Sequence, residues 1–191
     1  MPRSGLSQAR VIEAAAGIAD REGLDALTIA RLAAVLKVRP PSLYNHLRNL
    51  DGLRDDLARR GLQELLDQTL NAAAGLAGRD ALDAMAHAQR QYAKKHPGVY
   101  KAAQLAVSKQ SEATRKVGEA YVKLALAVLR GYGLSGNAAL HAVRAIRSAV
   151  RGFIETELDG GFGLSLNLDV SFQTLLGMID SGLNTRKRVS K

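Results

Sequence analysis

From Ser7 almost to its end, apolar side chains recur in this sequence at the three- and four-residue spacing of an α-helix. Strand-like runs of Val, Ile, Thr and Tyr are missing, and aromatic residues make up only 4% of the chain. Alanine, leucine and arginine are abundant, so intrinsic propensity and periodicity agree on an all-α fold with no sheet. At 191 residues the chain is long enough for one sizeable core or for a small domain fused to a larger one.

Punctuation divides the helical pattern. Between Ser7 and Glu22, Val11, Ile12, Ala15, Ile18 and Ala19 form one stripe, which Gly23 closes. Thr28 has the side chain of an N-cap and opens a short helix carried by Ile29, Leu32, Ala33 and Leu36. Pro40-Pro41 suits the first turn of a third helix, where a missing amide costs nothing, and Leu43 and Leu47 give it a buried edge about two turns long. Asn49 caps a long fourth helix that frays towards Gly75 and Gly78. Further helices are predicted at 80–95, 97–108, 111–131, 136–158 and 169–184, and Arg186-Lys187-Arg188 reads as a basic tail.

Three helices of these lengths, the last two joined by a short turn, have the dimensions of a helix-turn-helix. Inward Leu43 and Leu47 turn Arg39, Pro41, Ser42 and Asn45 outward on the helix that would enter a major groove. Asn can pair bidentately with adenine, Arg prefers guanine, Ser reads either edge, and proline offers apolar contact to a thymine methyl. At the start of the second helix, the Thr28 hydroxyl and the unpaired amides around it suit a phosphate, which fixes position without reading sequence.

The segment from Leu27 to Leu47, with Thr28 at its head and Pro41-Ser42-Leu43-Tyr44-Asn45-His46 in its third helix, resembles the DNA-binding signature of the tetracycline-repressor (TetR) family. The similarity runs over roughly residues 7–60. It implies that Tyr44 and His46 lie against the sugar-phosphate backbone, and Pro40 and Arg48 complete the expected DNA-binding residues. Two positions depart from the family pattern. Lys37 stands where a turn glycine is usual and must enter the left-handed region or change the turn. Leu50 stands where a phosphate-binding lysine is common, a role Arg48 or Arg54 could take over.

Ala93-Lys94-Lys95-His96-Pro97-Gly98-Val99-Tyr100, with Arg147 to Phe153 and Gly160-Gly161-Phe162-Gly163, resembles C-terminal TetR domains of the WHG type, although the Trp and His that name the type are absent. The resemblance implies an effector cavity and dimerisation through the last two long helices. The expected organisation is a helix-turn-helix domain at 1–50, a helical effector-binding and dimerisation domain at 51–185, and a basic tail at 186–191. Polar and aromatic residues on the apolar helices, namely His87, Gln91, Tyr92, His96, Tyr100, Gln104, Tyr121 and Phe153, together with Ala103, are candidates for the cavity. Val143, Ile146, Val150 and Ile154 on one helix and Phe172, Leu175, Leu176 and Ile179 on the next are candidates for a four-helix dimer seam. The same faces could instead pack within one chain. The expected function is that of a repressor that holds a palindromic double-stranded DNA operator as a homodimer until a small molecule releases it. A helical ligand-binding module and a DNA-binding protein without ligand control are the alternatives.

The net charge of +9 suits a polyanionic partner but does not choose one, because basic residues are spread widely: residues 94–151 hold about 11 basic and 2 acidic side chains. With no cysteine there is no disulfide or thiolate chemistry, and no apolar run approaches the length of a membrane span, so a cytoplasmic protein without membrane contact is expected. His46, His87, His96 and His141 lack metal-ligand spacing, and no glycine-rich phosphate loop follows a strand. No enzyme, metal or cofactor is expected.

Overall fold

A computed structural model describes residues 5–104 and 110–185 in full and the backbone of 186–189. The described residues form helices and connecting turns without a strand: α1 (Gln8–Glu22), a short 3-10 turn (Leu24–Ala26), α2 (Ile29–Leu36), α3 (Pro40–Leu43), α4 (Leu50–Ala73), α5 (Gly78–Lys95), α6 (Pro97–Ala103), α7 (Glu112–Arg130), α8 (Gly136–Leu158) and α9 (Leu168–Val189). The last part of the helix expected at 97–108 and the side chains of the basic tail lie outside the described residues.

The punctuation acts as the sequence suggests. Ser7 accepts from the Arg10 amide (3.3 Å), Thr28 from the Arg31 amide (3.1 Å) and Asn49 from the Gly52 amide (2.7 Å), so each satisfies a helix-start donor. Gly23 ends α1 at φ 89°. Lys37 ends α2 in the left-handed region (φ 56°, ψ 41°), at a cost of about 1–2 kcal/mol for a residue with a Cβ. α3 is shorter than expected: only Pro40–Leu43 is regular. The His46 amide donates to the Leu43 carbonyl three residues back (2.8 Å) while Leu47 keeps the four-residue bond to Leu43 (3.1 Å), so the second turn is tightened.

The chain packs as two compact units, Met1–Glu64 with Lys95–Gly118, and Leu65–Lys94 with Glu119–Lys191. These cut the chain differently from a functional division at residue 50, because α6 is docked on α1. Gly98 lies so close to the Ala19 carbonyl that no side chain fits between them, and both Asp20 oxygens are used there: Oδ1 accepts from the Val99 amide (2.9 Å) and Oδ2 faces His96 Nδ1 (3.0 Å). Gly61 on α4 similarly faces Val99 and Ala103 at a distance that excludes a Cβ. Val11, Ala15, Ile18, Leu27, Leu32, Leu43, Leu53, Leu57, Val99 and Tyr100 are all buried in this first unit.

In the second unit, Leu82, Leu129, Tyr132, Leu134, Ala139, Ala142 and Leu183 form a core against which Val143, Ile146 and Ile179 pack. The buried Tyr132 hydroxyl donates to Asp180 (2.7 Å), and burial is the main reason its ionisation is pushed far up.

Candidate nucleic-acid interface

α1 and α2 carry α3 on a small apolar core, and α3 shows two distinct sides. Leu43 is fully buried and Leu47 nearly so, whereas Arg39, Pro40, Pro41, Ser42, Tyr44, Asn45 and Arg48 are exposed; Tyr44 shows 56% of its surface. His46 is half-buried. Thr28 is exposed at the head of α2, and its oxygen, having accepted from Arg31, still has a proton to donate. The α2–α3 pair therefore offers hydroxyl, amide, guanidinium, imidazole and phenol groups to solvent from one short stretch of backbone.

Charge in this stretch is unevenly available. Arg31 makes two bonds of 2.8 Å to Glu22, which hold that carboxyl below the usual carboxylate range, so its guanidinium is occupied. The Arg39 and Arg48 guanidiniums have no hydrogen bond or ion pair among the described residues. Of the two arginines considered as replacements for the missing helix-four lysine, Arg48 is exposed, while the Arg54 Nε is buried without a partner. A cleft of about 610 Å³ is lined by Tyr44, His46 and Arg48 together with Asp55, Asp56 and Arg59 of α4. Asp55 accepts from the amide of Ser111 (3.0 Å), which also lines the cleft, just ahead of α7.

The residues considered for an effector cavity divide between the two units. In the first, His96 is engaged with Asp20, Tyr100 and Ala103 are buried, and Gln104 is half-buried after α6. Ala103 sits so close to Gly61 of α4 that a side chain at Gly61 would crowd it. In the second unit, His87 meets Phe172 edge-on (5.2 Å), Phe153 lies 5.0 Å from Phe172, and the Tyr121 hydroxyl donates to Gln89 (3.0 Å). Tyr92 is buried and Gln91 is exposed.

Sequence reasoning missed the residue that organises this ring cluster. Arg90, only 6% exposed, bonds Glu157 twice (2.6 and 2.7 Å) and Asp169 once (2.7 Å), with its guanidinium 4.9 Å from the centre of the Phe172 ring. The available signal was an arginine four residues after Ala86 on the buried face of α5. The seam candidates divide too: Val150, Ile154, Phe172 and Leu176 are buried within the chain, while Val143, Ile146, Leu175 and Ile179 are half-buried.

The fold and this two-sided α3 define a helix-turn-helix DNA-binding regulator. The family model for the tetracyclin repressor-like C-terminal domain matches residues 82–179. An uncharacterized HTH-type transcriptional regulator of Bacillus subtilis, YobS, is 41% identical over 154 residues, covering 80% of this chain and 79% of that protein. One of Mycobacterium tuberculosis, Rv0681, is 33% identical over 182 residues, covering 95% and 83%. Among solved structures, a TetR variant from Acinetobacter baumannii in complex with minocycline shares the fold, with a TM-score of 0.74 at 24% identity over 96% of this chain and 99% of that one. The chain belongs to the TetR family of helix-turn-helix transcriptional regulators, a family of regulators and not of enzymes. Among the described residues, no helix is long and apolar enough to cross a membrane.

Proposed function

We propose that this protein is a repressor that holds a palindromic DNA operator as a homodimer and releases it when a small molecule binds the helices beyond residue 50. The observation that carries the DNA half is the exposure of Arg39, Pro41, Ser42 and Asn45 around the buried Leu43 and Leu47. In this reading Arg39, Pro40, Pro41, Ser42 and Asn45 face bases, while Thr28, Tyr44, His46 and Arg48 hold the backbone. Selection of bound duplexes from a random library tests it. Asn45→Ala is expected to relax preference at one half-site position by about 1–3 kcal/mol, and Thr28→Ala to weaken all duplexes alike. An unchanged selected motif for Asn45→Ala removes it from the base-reading set.

The homodimer reading rests on what α8 and α9 leave uncovered. Leu140, Val170 and Met178 are exposed, Met178 by 69%, and Gly152 and Gly182 have open space beside them where another backbone could approach. Leu176 is buried in its own chain, so an aspartate there would test the core of one protomer. Met178→Asp tests the seam. It is expected to give a folded monomer that loses specific operator binding, and a wild type monomeric at micromolar concentration by light scattering would end the dimer reading.

For the effector, the ring cluster of His87, Phe153 and Phe172 with nearby polar groups is the better candidate region, and the solved relative's complex with minocycline supports a small-molecule ligand. A hundredfold loss of operator affinity requires the ligand to favour the released state by about 2.7 kcal/mol, and DNA must weaken ligand binding by the same factor. If every tight binder found by thermal shift leaves operator affinity unchanged, the protein is a DNA-binding regulator without ligand control.

A further inference from the structure

Lys37 is the one non-glycine residue with a positive φ among the described residues, and it lies in the turn between α2 and α3. Its amide caps α2 by bonding the Ala34 carbonyl (3.2 Å), and the next amide, of Val38, bonds Ala33 (3.0 Å). A glycine would make the same cap without steric cost. Nothing in the fold repays the difference, because the lysine side chain is exposed and its ammonium makes no hydrogen bond or ion pair among the described residues. It stands two residues before Arg39, the N-cap of α3, whereas Arg31 on α2 is taken up by Glu22. Two of the free positive charges of the helix-turn-helix, Lys37 and Arg39, thus stand where the chain enters α3, and Arg48 follows at its far end.

We infer that Lys37 is a DNA-backbone contact: its ammonium neutralises a phosphate beside the point where α3 enters the groove, and the left-handed backbone is a stability cost retained for that charge. A compact ammonium on a flexible four-carbon stem suits a phosphate oxygen better than the planar, directional edge of a base. The inference rests on the DNA-reader reading above and adds to it a residue outside the helices.

The test compares full-length wild type with Lys37→Gly and Lys37→Arg by fluorescence anisotropy. The probes are a duplex selected from the random library and a scrambled duplex of equal length, titrated between 50 and 200 mM salt. Lys37→Gly is expected to raise the thermal midpoint by about 1–3 °C, since strain is relieved. It is also expected to weaken both duplexes by the same factor, with a salt slope shallower by about 0.9, so that the wild-type advantage shrinks about 3.5-fold across that salt range. Lys37→Arg should keep the wild-type slope. An unchanged slope for Lys37→Gly, or weakening confined to the selected duplex, overturns the phosphate contact. A midpoint that does not rise overturns the claim of a retained cost. Failure of the reader reading itself would appear in the wild type, as no preference for the selected duplex over the scrambled one.

Discussion

Gly98→Ala should lower the stability of the protein by more than about 3 kcal/mol, seen as a thermal midpoint about 10 °C below that of the wild type. The added Cβ would fall inside the envelope of the Ala19 carbonyl and 2.6 Å from the Asp20 amide nitrogen, and both are backbone atoms held in the regular body of α1. Neither can turn aside as a side-chain tip could, so α6 has to lift from α1. Lifting it also costs the bonds from Asp20 to the Val99 amide and to His96, and a carboxylate bond of this kind contributes about 1.5–3 kcal/mol. Gly118 supplies the control. It lies within α7 with open space beside it, so Gly118→Ala should leave the fold intact and stabilise it by about 0.5–1 kcal/mol. Thermal unfolding followed by circular dichroism decides the matter, and a Gly98→Ala midpoint within a degree or two of the wild type would show that α6 is not locked to α1 in solution.

That junction also marks where the sequence stops being legible. Ser7, Gly23, Thr28 and Asn49 act within three or four residues of their partners, and each end of a helix that they set could be read directly. Lys37 is a partial case: the missing glycine left either a left-handed residue or a different turn, and the chain takes the first. The bonds from Asp20 reach residues 76 and 79 positions away, and no periodicity carries that information. His96 was therefore placed with the cavity candidates, although its imidazole faces α1. The shortened α3 is a local miss of another kind, since the apolar spacing of Leu43 and Leu47 is satisfied by a tightened turn as well as by a regular one.

The apolar faces of α8 and α9 show a different limit. Period tells which side of a helix is apolar but not what covers it. Ile154, Phe172 and Leu176 read like a seam between copies, yet their surface is covered by their own chain, while the uncovered positions Val170 and Met178 are interspersed with Gln173, Thr174 and Ser181 and give a weaker stripe. The reader was the more legible site because its chemistry lies within one short stretch of chain, from Thr28 to Arg48. The C-terminal cluster is assembled from α5, α8 and α9, and its central charge was missed.

Arg90→Met should destabilise the protein by about 3–5 kcal/mol at pH 7, because it strands a carboxylate in a nearly closed site. Glu157 is 8% exposed and would keep only the Lys94 ammonium at 3.1 Å. In the wild type, the bonds from Arg90 are the main cause holding the Glu157 carboxyl below the usual carboxylate range, against the opposing effect of burial. A carboxyl whose folded ionisation is depressed contributes stability above its unfolded value of about 4.3, and that contribution is lost as pH falls through the lower folded value. Without Arg90, burial instead favours the neutral acid, so Glu157 takes up its proton at higher pH in the variant. The gap between wild type and Arg90→Met should therefore be widest near neutrality and narrow below about pH 4, in urea unfolding at each pH. Arg90→Met combined with Glu157→Leu removes both charges and should recover much of the loss, because an apolar pair leaves no buried ion behind. A gap that stays constant between pH 7 and pH 3.5, with no recovery in the double variant, would mean that Arg90 stabilises the unit through its packing on Phe153 and Phe172 rather than through Glu157.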